Sequence, residues 1–245
     1  MYTNPCAASI ISTKHIPDCS PAILQFVKAS ALAALIKKDV QLELRQQQNL
    51  YGILVYALST IFILYLAAGK PDAVQWNALF WVTQLFIVVN AVIKSFVGEP
   101  KGRSLYYHSI VHPLEYLFSK MVLNVIYMFI LGVVSILCFT VLLGNPVQNM
   151  LAFFGIVLLG GTGLSLVFTM LSAIASKARQ QASLVAILGF PVIVPQVVLL
   201  IRLSKYAYGE VFKAGVPLQM TGLLIGLDAL VIIMASVLFP YLWKD

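Results

Sequence analysis

The sequence predicts an all-α membrane protein with six transmembrane helices and an amphipathic helix in front of the first. The chain is 60% hydrophobic and only 10% charged, a composition that ordinary soluble domains do not have. About 20 apolar residues at a rise of about 1.5 Å per residue cross the hydrocarbon core of a bilayer. In lipid the backbone has to satisfy its own hydrogen bonds, so each apolar segment is expected to be a helix. The six segments are residues 50–68, 76–97, 121–143, 151–175, 183–201 and 221–243.

Two regions are expected within the 245 residues. Residues 1–30 contain Pro5, Pro17 and Pro21 and lack the basic start and continuous apolar core of a signal peptide, so we predict a poorly ordered cytoplasmic tail. Residues 31–245 are predicted to form one six-helix domain. Its short connections contain no G-x-x-x-x-G-K-[ST] phosphate-binding loop, so we expect no enzyme activity here and a partner as the source of energy.

Basic residues are shared unequally between the two sides of the membrane. If both chain ends lie on one side, that side carries twelve of the 16 Lys and Arg residues and the other side carries four. The positive-inside rule then places both termini in the cytoplasm. We therefore attribute the net charge of +7 to membrane topology and contact with lipid, and we expect no nucleic-acid partner. The discordant loop is the fifth connection, with Arg202, Lys205 and Lys213.

Two cytoplasmic segments are candidates for contact with a partner. Residues 30–48 have helical spacing of apolar residues with basic residues elsewhere around the helix, which is typical of a helix lying on the membrane surface. The loop at residues 98–120 has Gly and Pro near both ends, and residues 104–111 can form a short helix. An isolated short helix suits docking, although an ordinary structured loop explains the pattern equally well. The candidate docking residues are Gly102, Arg103, Leu105, Pro113 (suited to the first turn of the next helix) and Glu115.

Residues able to hold a metal or a cofactor are scarce. His108 and His112 are four apart, but no third ligand is in register and Pro113 follows at once. None of the six segments contains a histidine. We therefore expect no directly bound cofactor and no metal site.

Polar residues inside the spans are few, and Asp228 is the acidic residue well inside one. Counted from residue 221, it lies about 10 Å inside the outer boundary. A charge in lipid is costly and often functional, so Asp228 marks a candidate intramembrane polar site. It could belong to a polar path, pair with Arg202 or Lys205, or form an interhelical hydrogen bond. Single amides suited to such bonds are Gln84, Asn90, Asn124 and Gln196, and small residues crowd the fourth span and favour close helix packing.

The most specific pattern lies in residues 171–201, where a basic turn leads into a span with two prolines. Pro191 and Pro195 each remove a backbone donor, so we expect a kink on which a conformational step depends. With Arg179 and Leu184, these prolines match an R-x-x-x-x-L turn followed by a P-x-x-x-P span. The stretch resembles the haem exporter protein B (CcmB) family of cytochrome c maturation.

Two further segments carry the same resemblance, which covers about residues 35–245. Residues 38–45 are similar to the family's cytoplasmic helix before the first span. Gly102, Leu105, Pro113 and Lys120 match the G-x-x-L…P…K form of the family's loop after the second span.

The resemblance implies an ABC-exporter-type bundle, the inner-membrane permease subunit of a complex that handles haem for c-type cytochromes. Haem would be a substrate, ATP would bind a separate ABC ATPase subunit, and the other partners would be a haem-handling membrane protein and a second copy of this chain. Two alternatives stay open. The chain could be an ABC-type permease for a lipid-linked glycan or a drug, or a non-transporting scaffold that couples ATP hydrolysis to a haem-handling partner.

Overall fold

Long α-helices account for nearly all of the computed structural model, which describes residues 36–41, 47–97, 113–177, 181–209 and 215–244. In chain order they are α1 (Gln47–Ala68), α2 (Ala73–Val97), α3 (Pro113–Leu143), α4 (Met150–Lys177), α5 (Gln181–Ser204) and α6 (Val216–Lys244). Residues 36–41, here called the pre-α1 segment, are also helical. Each of the six helices is long and apolar enough to cross a membrane, which confirms the predicted fold class. Residues 1–30, predicted to be a tail, lie outside the described residues.

Helix α4 is the centre of the bundle and packs against α2, α3, α5 and α6. Its glycines allow this close approach, as expected for a span rich in small residues. A Cβ added at Gly160 would lie 2.5 Å from the ring of Trp81 and 2.6 Å from Leu200 Cδ2. Helix α1 lies at the edge, against α2 and α3, and leaves much of its apolar surface exposed.

The bundle has a basic end and a turn end. The basic end holds the pre-α1 segment, the start of α3 and the end of α6, and it corresponds to the side with twelve basic residues. The turn end holds the two tight turns after α1 and α3, where Gly69 and Gly144 have φ of 63° and 86°. Glycine tolerates this left-handed conformation, and it ends both helices.

Buried aromatic rings close the turn end. Trp76, Phe80, Phe139 and Phe153 are each at most 1% exposed, with ring centroids 5.1–5.6 Å apart. The indole N–H of Trp76 donates to the Gly144 carbonyl at 3.0 Å, which satisfies a buried donor. This packing joins α2, α3 and α4.

The fifth connection begins as helix, because a 3₁₀ turn (Lys205–Tyr208) continues α5. The backbone N–H groups of Gln148 and Asn149 both donate to the carbonyl of Ala207, at 3.1 and 3.0 Å. The turn before α4 is thereby fixed to the end of α5. Residues 210–214 lie outside the described residues.

Two helices begin at least five residues earlier than the apolar segments indicate. Helix α3 starts at Pro113 rather than at residue 121, and α6 starts at Val216 rather than at residue 221. A helix continues past the hydrocarbon boundary where long polar side chains reach the headgroup level. Asp228 lies about 18 Å along the helix axis from the start of α6, near the middle of the apolar stretch Val216–Phe239.

Candidate functional site

The predicted docking loop is described only where it enters α3. Gly102, Arg103 and Leu105 lie outside the described residues. Pro113 begins α3, as expected for a first-turn proline, and Glu115 is in the same first turn. A carboxylate at this position interacts favourably with the positive end of the helix dipole. The loop is therefore joined directly to the start of α3.

A buried charged cluster joins the start of α3 to the pre-α1 segment. Asp39 is 8% exposed and Lys120 is 5% exposed, and Lys120 Nζ lies 3.9 Å from Asp39 Oδ2. The Ser119 hydroxyl donates to the same carboxylate oxygen at 3.1 Å, and Lys38 Nζ lies 3.4 Å from Oδ1. Burying a charge costs several kcal/mol unless it is paired, so these contacts compensate Asp39. We call Asp39, Ser119 and Lys120 the basic-end cluster.

Aromatic contacts extend this cluster to α6. Lys120 Nζ lies 5.8 Å from the ring centroid of Tyr116, within the range of a cation–π interaction. The Tyr116 ring stacks on Phe239 of α6, with centroids 6.4 Å apart and an interplanar angle of 14°. One end of α3 thus contacts both the pre-α1 segment and the last helix.

Sequence reasoning did not pair Asp39 with Lys120, although both belong to segments that resemble the family. A usable signal was present. Lys120 is a charged residue directly followed by the apolar residues 121–123, and a charge in such surroundings requires a partner.

A second polar contact lies inside the bundle, where α4, α5 and α6 meet. The Gln196 side-chain amide of α5 donates to Asp228 Oδ1 of α6 at 3.1 Å. A Cβ added at Gly163 of α4 would overlap both side chains, so the contact depends on glycine there. The interhelical hydrogen bond, one of the three interpretations of Asp228, is therefore present.

The other single amides differ in what they bind. Asn124 of α3 donates to Thr169 Oγ1 of α4 at 3.0 Å, which is the expected interhelical bond. Asn90 instead donates to the carbonyl of Phe86 in its own helix at 2.9 Å. Gln84 Nε2 is buried and has no hydrogen-bond partner in the part of the chain that the structure describes. An amide in a span therefore shows neither that its side chain is buried nor which group it binds.

Helix α5 continues through both prolines, from Gln181 to Ser204. Pro191 and Pro195 are exposed on the surface of this chain. Pro195 cannot donate to the carbonyl of Pro191, four residues earlier, so a backbone acceptor is left open within the span. The prolines are thus not core residues of this chain.

Few described residues could hold a metal. Within the described ranges, no group of three or more His, Cys, Asp or Glu side chains lies close enough to bind one. His108 and His112 lie outside these ranges.

A model of the CcmB protein family matches residues 30–241, nearly the whole chain. The chain belongs to the CcmB family. This confirms the resemblance drawn from the proline span, the pre-α1 segment and the loop before α3. CcmB proteins are transmembrane permease subunits of ABC transporters that serve haem export and c-type cytochrome biogenesis, and they work with a separate ABC ATPase. Membership and the six apolar helices make this CcmB chain a multi-pass inner-membrane protein. No curated protein matches it.

Proposed function

We propose that this CcmB-family chain receives the work of ATP hydrolysis from a separate ATPase subunit, in a complex that delivers haem for attachment to c-type cytochromes. The observation that carries the proposal is the family match over residues 30–241. The basic-end cluster supports the proposal, because its contacts connect the start of α3 to the pre-α1 segment. Both termini lie in the cytoplasm in this proposal, supported by the excess of basic residues on that side.

The ATPase contact is proposed for residues 104–115. This loop enters α3 at Pro113, so displacing the loop displaces the start of α3. Ser119 and Lys120 hold Asp39, and Tyr116 stacks on Phe239, so the same displacement reaches the pre-α1 segment and α6. Such helix shifts at an interface are a common form of coupling between subunits.

A second candidate function is a coupling scaffold through which haem does not pass. The observation that favours it is that none of the six spans contains a histidine. Haem iron in proteins is held by His, Cys, Met or Tyr ligands in a shaped pocket. In this version haem is bound by a haem-handling membrane partner, and a second copy of this chain completes the membrane part of the complex.

The docking role is tested by co-purification with the ATPase subunit. Arg103→Glu combined with Leu105→Asp should abolish co-purification, because it reverses one charge and replaces an apolar side chain with a charged one. The control is Lys70→Glu, a charge reversal in the turn after α1 at the other end of the bundle, which should leave co-purification unchanged. Insertion of both variants is checked in isolated membranes. Co-purification of the double variant at the wild-type level would refute the docking role.

A further inference from the structure

Three helices meet around one carboxyl group near the middle of the bundle. Gln196 of α5 is 2% exposed, Asp228 of α6 is half-buried, and Gln196 Nε2 donates to Asp228 Oδ1 at 3.1 Å. Gly163 of α4 faces both, and any side chain there would collide with them. The space is therefore shaped for the amide and the carboxyl group.

One hydrogen-bond acceptor of the Gln196–Asp228 pair has no donor among the described residues. Gln196 Oε1 is buried and, among the described residues, accepts no hydrogen bond. A buried acceptor left without a donor costs about 1–3 kcal/mol. The amide already faces Asp228, but an ionised carboxylate has only acceptor oxygens and cannot supply the donor.

We propose that Asp228 and Gln196 form a proton-binding site within the membrane. A proton on Asp228 Oδ2 makes the carboxyl group a donor to Gln196 Oε1, while Gln196 Nε2 continues to donate to Oδ1. The planar acid and the planar amide then close a cyclic pair with two hydrogen bonds. The proton comes from water and returns to water on release, and while bound it removes a charge that is costly in lipid.

The helices packed against α6, which are α3, α4 and α5, bring few competing charges to this level. Helix α4 has no ionisable side chain before Lys177. Along α5 the first cation beyond Gln196 is Arg202, about 9 Å further toward the turn end, and Lys205 follows. The titratable side chains of α3 are Glu115, Tyr116, Lys120, Tyr127 and Cys138, and Lys120 is paired with Asp39. A proton therefore suits the site better than a side-chain cation.

The proposed proton-binding site lies next to Pro195 in the chain, because Gln196 directly follows it. With the proton bound, two hydrogen bonds connect α5 to α6. Without it, one hydrogen bond and a buried negative charge remain. The strength of the contact between α5 and α6 therefore depends on whether Asp228 is protonated.

The test is infrared difference spectroscopy of the purified full-length chain in lipid nanodiscs at neutral pH. The expected result is a C=O stretch of a protonated carboxyl group that disappears in Asp228→Asn and shifts in Gln196→Leu. The control Glu115→Gln changes another carboxyl group of the chain and should leave the band in place.

Thermal unfolding provides a second measurement. Asp228→Asn should retain the wild-type Tm, because its neutral amide can both donate to Gln196 Oε1 and accept from Nε2, whereas Asp228→Leu should lower it. If no carboxyl band depends on Asp228, or if the band is indifferent to Gln196→Leu, the proposal is overturned. An Asp228→Asn Tm as low as that of Asp228→Leu would also overturn it.

Discussion

Single glycines in α4 determine how closely its neighbours approach. Gly160 faces the ring of Trp81, whose N–H donates to Ser204 Oγ at 2.8 Å. Trp81 is fully buried, so its ring cannot move aside without losing that bond and its packing. Gly155, in the same helix, has open space where a Cβ would lie.

These two glycines form a matched pair for a stability test. Gly160→Ala should destabilise the protein by about 1–3 kcal/mol, the usual cost of adding volume to a packed core. Gly155→Ala should leave stability unchanged or slightly higher, because alanine favours helix over glycine. Unfolding of both variants in detergent measures the difference. Equal stability of the two variants would contradict the packing around Gly160.

The ion pair of the basic-end cluster can be tested by a double-mutant cycle. Asp39→Asn and Lys120→Met should each destabilise the protein, because each removes the ion pair and leaves the other charge buried with fewer partners. The double variant should be less destabilised than the sum of the two, with a coupling energy of about 0.5–3 kcal/mol. The control is Lys37→Met, which changes an exposed neighbour. Strictly additive losses in the free energy of unfolding would show that the pair is not coupled.

At the scale of helices, α5 is the element whose sequence is least suited to a plain helix. It contains two prolines four residues apart, and both are exposed on the surface of this chain. Exposed prolines contribute little to the core of this chain. We propose that a conformational step or a contact with a partner offsets their cost in lost backbone hydrogen bonds.

The proposed role of these prolines is tested with the double variant Pro191→Ala, Pro195→Ala. The amount of protein in the membrane should be preserved, since alanine restores two helical donors, while cytochrome c maturation should fall. The control is Pro217→Ala in the first turn of α6, a position where proline costs no helical hydrogen bond. Wild-type maturation in the double variant would make the two prolines structural residues only.

At the scale of the whole molecule, the bundle is tied together differently at its two ends. Packed aromatic rings and turn-to-backbone hydrogen bonds close the turn end. Charged and hydrogen-bonded contacts join the pre-α1 segment, α3 and α6 at the basic end. The two ends of the bundle therefore differ in the kind of contact that holds the helices together.

The chain without its partners is predicted not to bind haem at a defined site. Purified free of partners and titrated with haem, it should give a broad visible spectrum that does not saturate, because its spans contain no histidine. The comparison sample is the complex with its haem-handling partner. A sharp, stoichiometric Soret band that is lost when Met or Tyr residues of the spans are replaced would show that this chain binds haem directly.

The sequence by itself determined the six helices, their order and the family. These follow from local properties, since the length of an apolar run is set by bilayer thickness and motifs such as the paired prolines are contiguous. It also indicated which spans contain polar groups, including Asp228, Asn124 and Gln196. Helix ends were less well predicted, because a helix can continue beyond the hydrocarbon region.

Only the tertiary structure decided which side chains meet. Asp39 and Ser119 are 80 residues apart in the chain, and Gln196 and Asp228 are 32 apart. Such contacts depend on the rotation and depth of each helix, which are set by packing against α4. The clearance at Gly163 that admits the Gln196–Asp228 pair exists only where three helices converge, so no local pattern could reveal it.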